Sequence, residues 1–561
     1  MNRTTFRSRT AILAARTAAL VTLALGSASG ALAQGTAGAP PAESPLLKEG
    51  IRRVVQVTAM DLDVVATTKD GTPVNDLRKE DFVMKVDGRT YPIDYFTHVD
   101  SGTLHGPDLG QASPDLILET TAGDGGDRYL SRQFLIFFDD EHLLPFERQR
   151  VTEGLRDLIT RLTPSDRVAL VAYGGSSRVV VPFTSSKEAL LDGLSRMDKI
   201  PPSGIRWESD YRRTVSEAQR SRPGTRQALI NAWSQQVRAR EKGTLDDLRR
   251  AVAALAARSG KRVLIYVSDG LELHPGQSFQ QALGSLLSQW DESVLEDYRR
   301  VVAEANQSGI TIHSFDAKGL TTDGDAGSSS PSPFSSFITN QNLRESLAGF
   351  ANETGGLVVT NRNNFQPALD RIYRESSSYY AIGITLAAID SRKSREHKID
   401  VRSTRPGVTV RTRTSYATKT ADQAVRDRIE MALMTPDASG DFPVGLAIAS
   451  PRKGGGLGKR LAGYDVTIPL SSLTFTDEGG KKTAVFDVVI AAAQDTGARS
   501  EIVPVRRTIT VQGDKWPQAR GESFHYTGEL KSGTGNYRFV AAVRDVATDR
   551  TGLASQATRI E

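Results

Sequence analysis

The chain has 561 residues, 39% hydrophobic and 24% charged, which excludes wholesale disorder and exceeds what one hydrophobic core usually serves. Its formal net charge of +5 falls to +1 without the four leader arginines Arg3, Arg7, Arg9 and Arg16, so basicity gives no ground for a nucleic-acid partner. The absence of cysteine excludes disulfides, thiol nucleophiles and thiolate metal sites, leaving only oxygen and imidazole ligands for any metal.

The leader arginines precede an apolar run at 18–25 and the small-residue segment Ala31, Leu32, Ala33. This order predicts a signal peptide over 1–33. Gly26, Ser27, Ser29 and Gly30 interrupt the run well short of the roughly 20 apolar residues that a membrane span needs. The processed chain is therefore expected to be secreted or periplasmic and not membrane-spanning. Residues 34–49, rich in Gly, Ala and Pro, read as a linker.

From Val54 the texture becomes strand-like, with Phe82, Met84 and Val86 alternating between the turn signals Asp70-Gly71 and Asp87-Gly88. A small β-sandwich is expected over 50–100. Over 128–416 strand and helix patterns alternate. Apolar strand runs fall at 134–138, 168–173, 179–183, 262–267, 310–315, 357–359 and 379–384, with helical periodicity between most of them. This predicts an α/β domain with a doubly wound, mainly parallel sheet. Residues 200–243, polar and Arg-rich, and 320–338, rich in Ser, Gly and Pro, read as insertions, the second a surface loop and 343–352 the helix after it. The arginines of 205–250 are interleaved with acids and lack clustered aromatics, so they read as a solvated helical face. Beyond a helical connector near 420–434, only strand patterns remain, and a C-terminal β-sandwich is expected over 435–561.

In an open α/β sheet, ligands gather beyond the carboxyl ends of the strands. Two strand ends carry acids: Asp139, Asp140 and Glu141 after the first, and Asp269 after 262–267. Converging carboxylates there would be hard oxygen ligands for Mg²⁺ or Ca²⁺, whereas isolated strand-end acids simply cap turns.

The ordered set FLIFFDD, RLTPSDRVALVAYGG, PFTSSKEALLDGL, GKRVLIYVSDG, ITIHSFDAKGL, LAGFANETGG and SSYYAIGI resembles a von Willebrand factor A-type domain. With VVATTKDGTPVNDLRKEDFVMKVDG before it, the chain is similar to the bacterial secreted von Willebrand factor A-related family over roughly 50–416. The resemblance implies a protein-binding rim and a divalent-cation site built from an Asp-x-Ser-x-Ser stretch, a loop Thr and an Asp after the fourth strand. Carried over, the two aspartates match Asp139 and Asp269, and Thr244, expected just before a helix, is the candidate threonine. Glu141 and Leu143 stand where the serines belong, and Leu143 cannot ligate a cation, so the expected metal set Asp139, Glu141, Asp269 and Thr244 is degenerate.

Enzyme motifs are missing. The seven histidines show no H-E-x-x-H spacing, there is no G-x-S-x-G elbow, and KGGGLGKR at 453–460 lacks both the first glycine and the Ser or Thr of a phosphate loop. The expected function is non-enzymatic: an exported adhesion or scaffold module binding a protein partner. Two rivals remain open, a metal-dependent hydrolase using Asp139, Glu141, His142 and Asp269, and a structural envelope component with a vestigial metal site.

Overall fold

A computed structural model of the protein describes residues 59–100, 103–104, 120–122, 128–284, 293–320, 333–385, 396–435, 438–454 and 459–561. The expected leader and linker at 1–49 lie outside these residues, as does 321–332 within the expected surface loop.

Strands β1 (Arg132–Asp139), β2 (Asp166–Tyr173), β3 (Ser177–Thr184), β4 (Lys261–Ser268), β5 (Ile310–Asp316) and β6 (Val358–Val359) form one six-stranded sheet in the order 3-2-1-4-5-6. Only β3 is antiparallel to its neighbour. The continuous apolar runs follow from burial on both faces. Phe134, Ile136 and Phe138 of β1 point to one face with Val263, Ile265 and Val267 of β4. Helices α1 (Pro145–Arg161), α2 (Lys187–Asp198) and α8 (Gln366–Ser377) cover that face. Leu135, Phe137, Leu264 and Tyr266 point to the other face, against α4 (Pro223–Ala256), α6 (Ser293–Gln307) and α7 (Pro333–Thr354). Each fully buried large apolar side chain contributes roughly 1.5–3 kcal/mol. The strand order reverses between β1 and β4, and there the carboxyl ends leave a crevice.

The expected insertion at 200–243 is helical. It comprises α3 (Gly204–Arg220) and the first half of α4, joined with α5 (Gln277–Ala282) around a satellite cluster of Trp207, Tyr211, Trp233 and Phe279. Helix α7 begins at Pro333, so the expected surface loop is shorter than 320–338 and the helix longer than 343–352.

One sequence expectation is corrected. Strand Tyr379–Thr385, read as completing the parallel series, instead pairs antiparallel with Ala59–Thr67 and Tyr95–Val99 in a separate four-stranded sheet. A second sheet joins Phe82–Val86 to Glu396–Ser403, and the two share a core of Met60, Leu62, Met84, Tyr380, Ile382 and Ile399. An apolar run reports burial but not its partner, so periodicity alone could not assign this strand. After helix α9 (Ala421–Met434), two antiparallel sheets enclose Phe442, Val466, Phe486, Val488 and Val543. Among the described residues, no helix is long and apolar enough to cross a membrane.

Candidate functional site

The candidate site lies where β1 and β4 end. Helix α1 starts immediately beyond β1: Pro145 occupies its first turn, and the Glu147 carboxylate accepts from the Leu144 N–H at 2.7 Å. The short loop 140–144 is thereby pinned over the sheet edge. Helix α3 crowds onto it, because a Cβ at Gly204 would stand 2.4 Å from the Leu143 carbonyl oxygen. Glycine at 204 permits that approach.

Asp139 is fully buried and directs its contacts to one oxygen, Oδ2, which accepts from Tyr266 Oη at 2.7 Å and Ser268 Oγ at 2.9 Å. His142 Nδ1 makes an ion-pair contact to the same atom at 2.8 Å, while His142 Nε2 lies 3.0 Å from Glu241 Oε1 and 2.9 Å from Oε2. Burial and the nearby Arg240 both disfavour charge on His142, yet Asp139 and Glu241 outweigh them and push the imidazole up to about 9. Burial likewise opposes ionisation of Asp139, but His142, the Tyr266 hydrogen bond and Arg240 hold it below the usual carboxylate range. Arg240 donates to the Glu141 carbonyl and lies 4.3 Å over the Trp207 ring.

Asp140 points elsewhere. Arg148 Nη1 donates to both its oxygens, at 2.9 and 2.8 Å, and Arg148 Nη2 donates to the Met197 and Ile200 carbonyls, tying the loop to the end of α2. Glu141 Oε1 accepts from Ser203 Oγ at 3.1 Å, so it braces the start of α3.

The four expected metal ligands therefore do not form one set. Along β4, Tyr266 and Ser268 share the face that holds Asp139, and Asp269, one residue on, is turned to the other. Its carboxyl is pushed well above the usual range by burial and by Glu147, with which it shares a hydrogen bond, and Asp316 adds to the effect. The two aspartates expected side by side thus serve opposite faces of the sheet. Thr244 lies inside α4 rather than before a helix, because Gly243 does not stop it. It stands three residues beyond Glu241, on the same side of the helix. Leu143 is fully buried where the last hydroxyl of the motif would be.

Buried oxygens without hydrogen-bond partners remain on Asp139 (Oδ1), Thr244 (Oγ1) and Asp269 (Oδ1). The carboxylates of Asp139 and Asp269 serve opposite faces of the sheet, however, and the His142 ring stands against Asp139. Among the described residues, no group of three or more His, Asp or Glu side chains is placed to hold a metal ion. These residues do not fit a divalent cation. Glu241 was invisible to sequence reasoning, since it lies 99 residues from His142 on a helix with no motif of its own.

No protein-family model matches the chain, and no curated protein sequence does. Solved structures give distant likenesses. An aerotolerance-related membrane protein from Bacteroides fragilis is 13% identical over 44% of this chain and 98% of its own, with a TM-score of 0.23. A von Willebrand factor type A protein from Catenulispora acidiphila is 12% identical over 86% of this chain and 73% of its own, with a TM-score of 0.22. Proximal thread matrix protein 1 from the mussel byssus, with a zinc-occupied MIDAS motif, is 11% identical over 44% of this chain and 48% of its own, with a TM-score of 0.22. At these identities and scores, the likenesses define no shared function.

Proposed function

We propose that the protein is an exported, non-enzymatic interaction module of the von Willebrand factor A type, an adhesion or scaffold element that docks a protein partner on the rim above β1 and β4. The sheets on either side would position that rim. One observation carries the reading. Of the five large hydrophobic side chains most exposed among the described residues, four sit on the loops and helix ends of this rim: Phe146 (56% exposed), Ile200 (45%), Ile205 (44%) and Leu320 (61%).

Contacts made by neighbouring residues tie together the segments that carry them. Arg150 lies 5.4 Å over the Phe146 ring and donates to the Ala317 and Lys318 carbonyls just before Leu320. Arg148 binds the Ile200 carbonyl, and Ser203, two residues before Ile205, donates to the Asp140 carbonyl. Exposed apolar side chains that cluster, rather than scatter, mark interaction surfaces. By contrast a cavity of about 580 Å³ opens at the opposite end of the sheet beside Lys261, Arg262 and Gly309, away from the strand-end acids. A hydrolase would need its base and its substrate pocket together.

The test is capture of the partner from native envelope extract, comparing the parent with the double variant Phe146→Glu, Ile205→Glu. Two charges on the apolar rim should reduce recovery of the partner at least tenfold, equivalent to about 1.4 kcal/mol, with the melting temperature unchanged. Equal recovery by parent and variant would remove the rim from the docking surface.

A further inference from the structure

We infer that the C-terminal pair of sheets carries a binding site for a small amphiphile, an apolar body with a carboxylate head, in a cavity of about 360 Å³ at one edge of the pair. That volume lies at the small end of the roughly 300–1,000 Å³ typical of ligand pockets. The strand pairing leaves room for it. Strand Lys481–Gln494 is covered on one edge by Val505–Gln512, but this pairing ends at Val488. Beyond that point the turn at 495–500 takes over, with Gln494 N–H donating to the Ala498 carbonyl at 2.7 Å and Ala492 N–H to Ser500 Oγ at 2.8 Å. The cavity lies between this turn and the end of strand Ser523–Ser532 in the facing sheet.

The lining divides by chemistry. Ala492, Leu530 and Phe539 give an apolar floor that belongs to one buried cluster. The charged lining residues, Lys459, Arg499 and Lys531, are all cationic. Arg499 is matched by Glu430, so the two lysines supply the surplus. Of the acids nearby, Glu529 and Glu561 are paired with Arg452 and Arg559, while Asp495 and Glu501 are exposed on the turn, outside the lining, where solvent and salt screen them. Neutral donors stand beside the cations. Tyr537 Oη accepts from the Gly533 N–H at 3.0 Å and Ser500 Oγ from the Ala492 N–H, so each keeps its own proton for a ligand. Arg499 Nε and Ser532 Oγ are buried on the wall without hydrogen-bond partners, and a carboxylate lodged there would accept from them after a small side-chain rotation. A cationic head would meet like charge instead. None of these residues belongs to the rim, and the inference stands whether or not the rim docks a partner.

The experiment is isothermal titration of the full chain with decanoate, set against decanol and decylamine, which share the tail but not the negative charge. Decanoate should bind saturably, one per chain, with decanol at least tenfold weaker and decylamine weaker still. Two variants localise the binding. Ala498 is exposed and lines the cavity, so Ala498→Trp should fill the space and abolish decanoate binding with the melting temperature unchanged. Lys459 and Lys531 are exposed as well, and the double change Lys459→Glu, Lys531→Glu should weaken decanoate at least tenfold while leaving decanol as it was. Absence of saturable decanoate binding, equal binding of the three probes, or decanoate binding that both variants retain overturns the inference. Should Ala498→Trp melt early, the lysine pair decides alone.

Discussion

Acidic side chains at the ends of β1 and β4 divide the work of the rim according to what faces them. Asp140 is neutralised by Arg148 through two contacts, Asp139 by His142, and Asp269 shares a hydrogen bond with Glu147 instead of finding a cation. Glu272, three residues past Asp269, behaves differently again. Burial pushes its carboxyl up to about 7, and Glu241 adds to the rise, although Ser278 donates to it from both N–H, at 3.0 Å, and Oγ, at 2.8 Å. A carboxyl whose folded value exceeds its unfolded one penalises the folded state as pH rises from about 4.5 to 7, and the penalty stays constant above that. Glu272→Gln keeps an acceptor for the Ser278 N–H and removes the charge. It should therefore leave stability unchanged at pH 4 and raise it by about 1–3 kcal/mol at pH 8, read from urea denaturation. A gain of equal size at both pH values would show that ionisation is not the cause. The strand-end acids were legible in sequence because an apolar run ending in Asp is a local pattern. Their partners were not, since Glu241 and Glu147 reach them only through helix packing.

Helix α4 shows how packing overrides local propensity. Its 34 residues pass through Gly243, a residue that weakens a helix interior by about 1 kcal/mol relative to alanine. Reading a helix boundary there placed Thr244 on a loop. The structure supplies the missing reason: a Cβ at 243 would stand 2.3 Å from the Tyr173 hydroxyl, so only glycine lets α4 lie against the end of β2. The same approach sets Glu241 beside His142. Gly243→Ala should thus destabilise the protein by about 1–3 kcal/mol although alanine is the better helix former, because overpacking outweighs propensity. Thermal melts followed by circular dichroism measure it, and a stabilised variant would mean that Tyr173 yields freely. At this scale most strands and helices of the central sheet were legible, as their runs and periodicities are intrinsic. The continuity of α4 and the early start of α7 were not, because tertiary contacts settle helix ends.

At the scale of the molecule, the chain leaves one pair of sheets, builds the α/β domain, and returns to complete what it began. Arg132 at the start of β1 pairs with Asp166, at 2.6 and 2.7 Å, and donates to Tyr373 Oη at 3.0 Å and to Ser377 at the end of α8, so entry and exit of the domain lie side by side. Adjacent termini are the condition under which one domain can sit inside another. Immediately after α8, strand Tyr379–Thr385 inserts between Ala59–Thr67 and Tyr95–Val99, and Glu396–Ser403 pairs with Phe82–Val86. A fragment spanning 128–416, the extent the sequence pattern suggests for the α/β domain, would carry these late strands without their partners. Tyr380, Ile382 and Ile384, each at most 1% exposed, would then face water beside open strand edges. Such a fragment should aggregate or melt without cooperativity, whereas 59–417 should be monomeric with a single cooperative transition in its α/β and paired-sheet signals. Size-exclusion chromatography and calorimetry of the two fragments separate the cases. A monomeric, cooperatively melting 128–416 would show that the late strands are dispensable to the domain and that the two halves of the paired sheets fold apart from it.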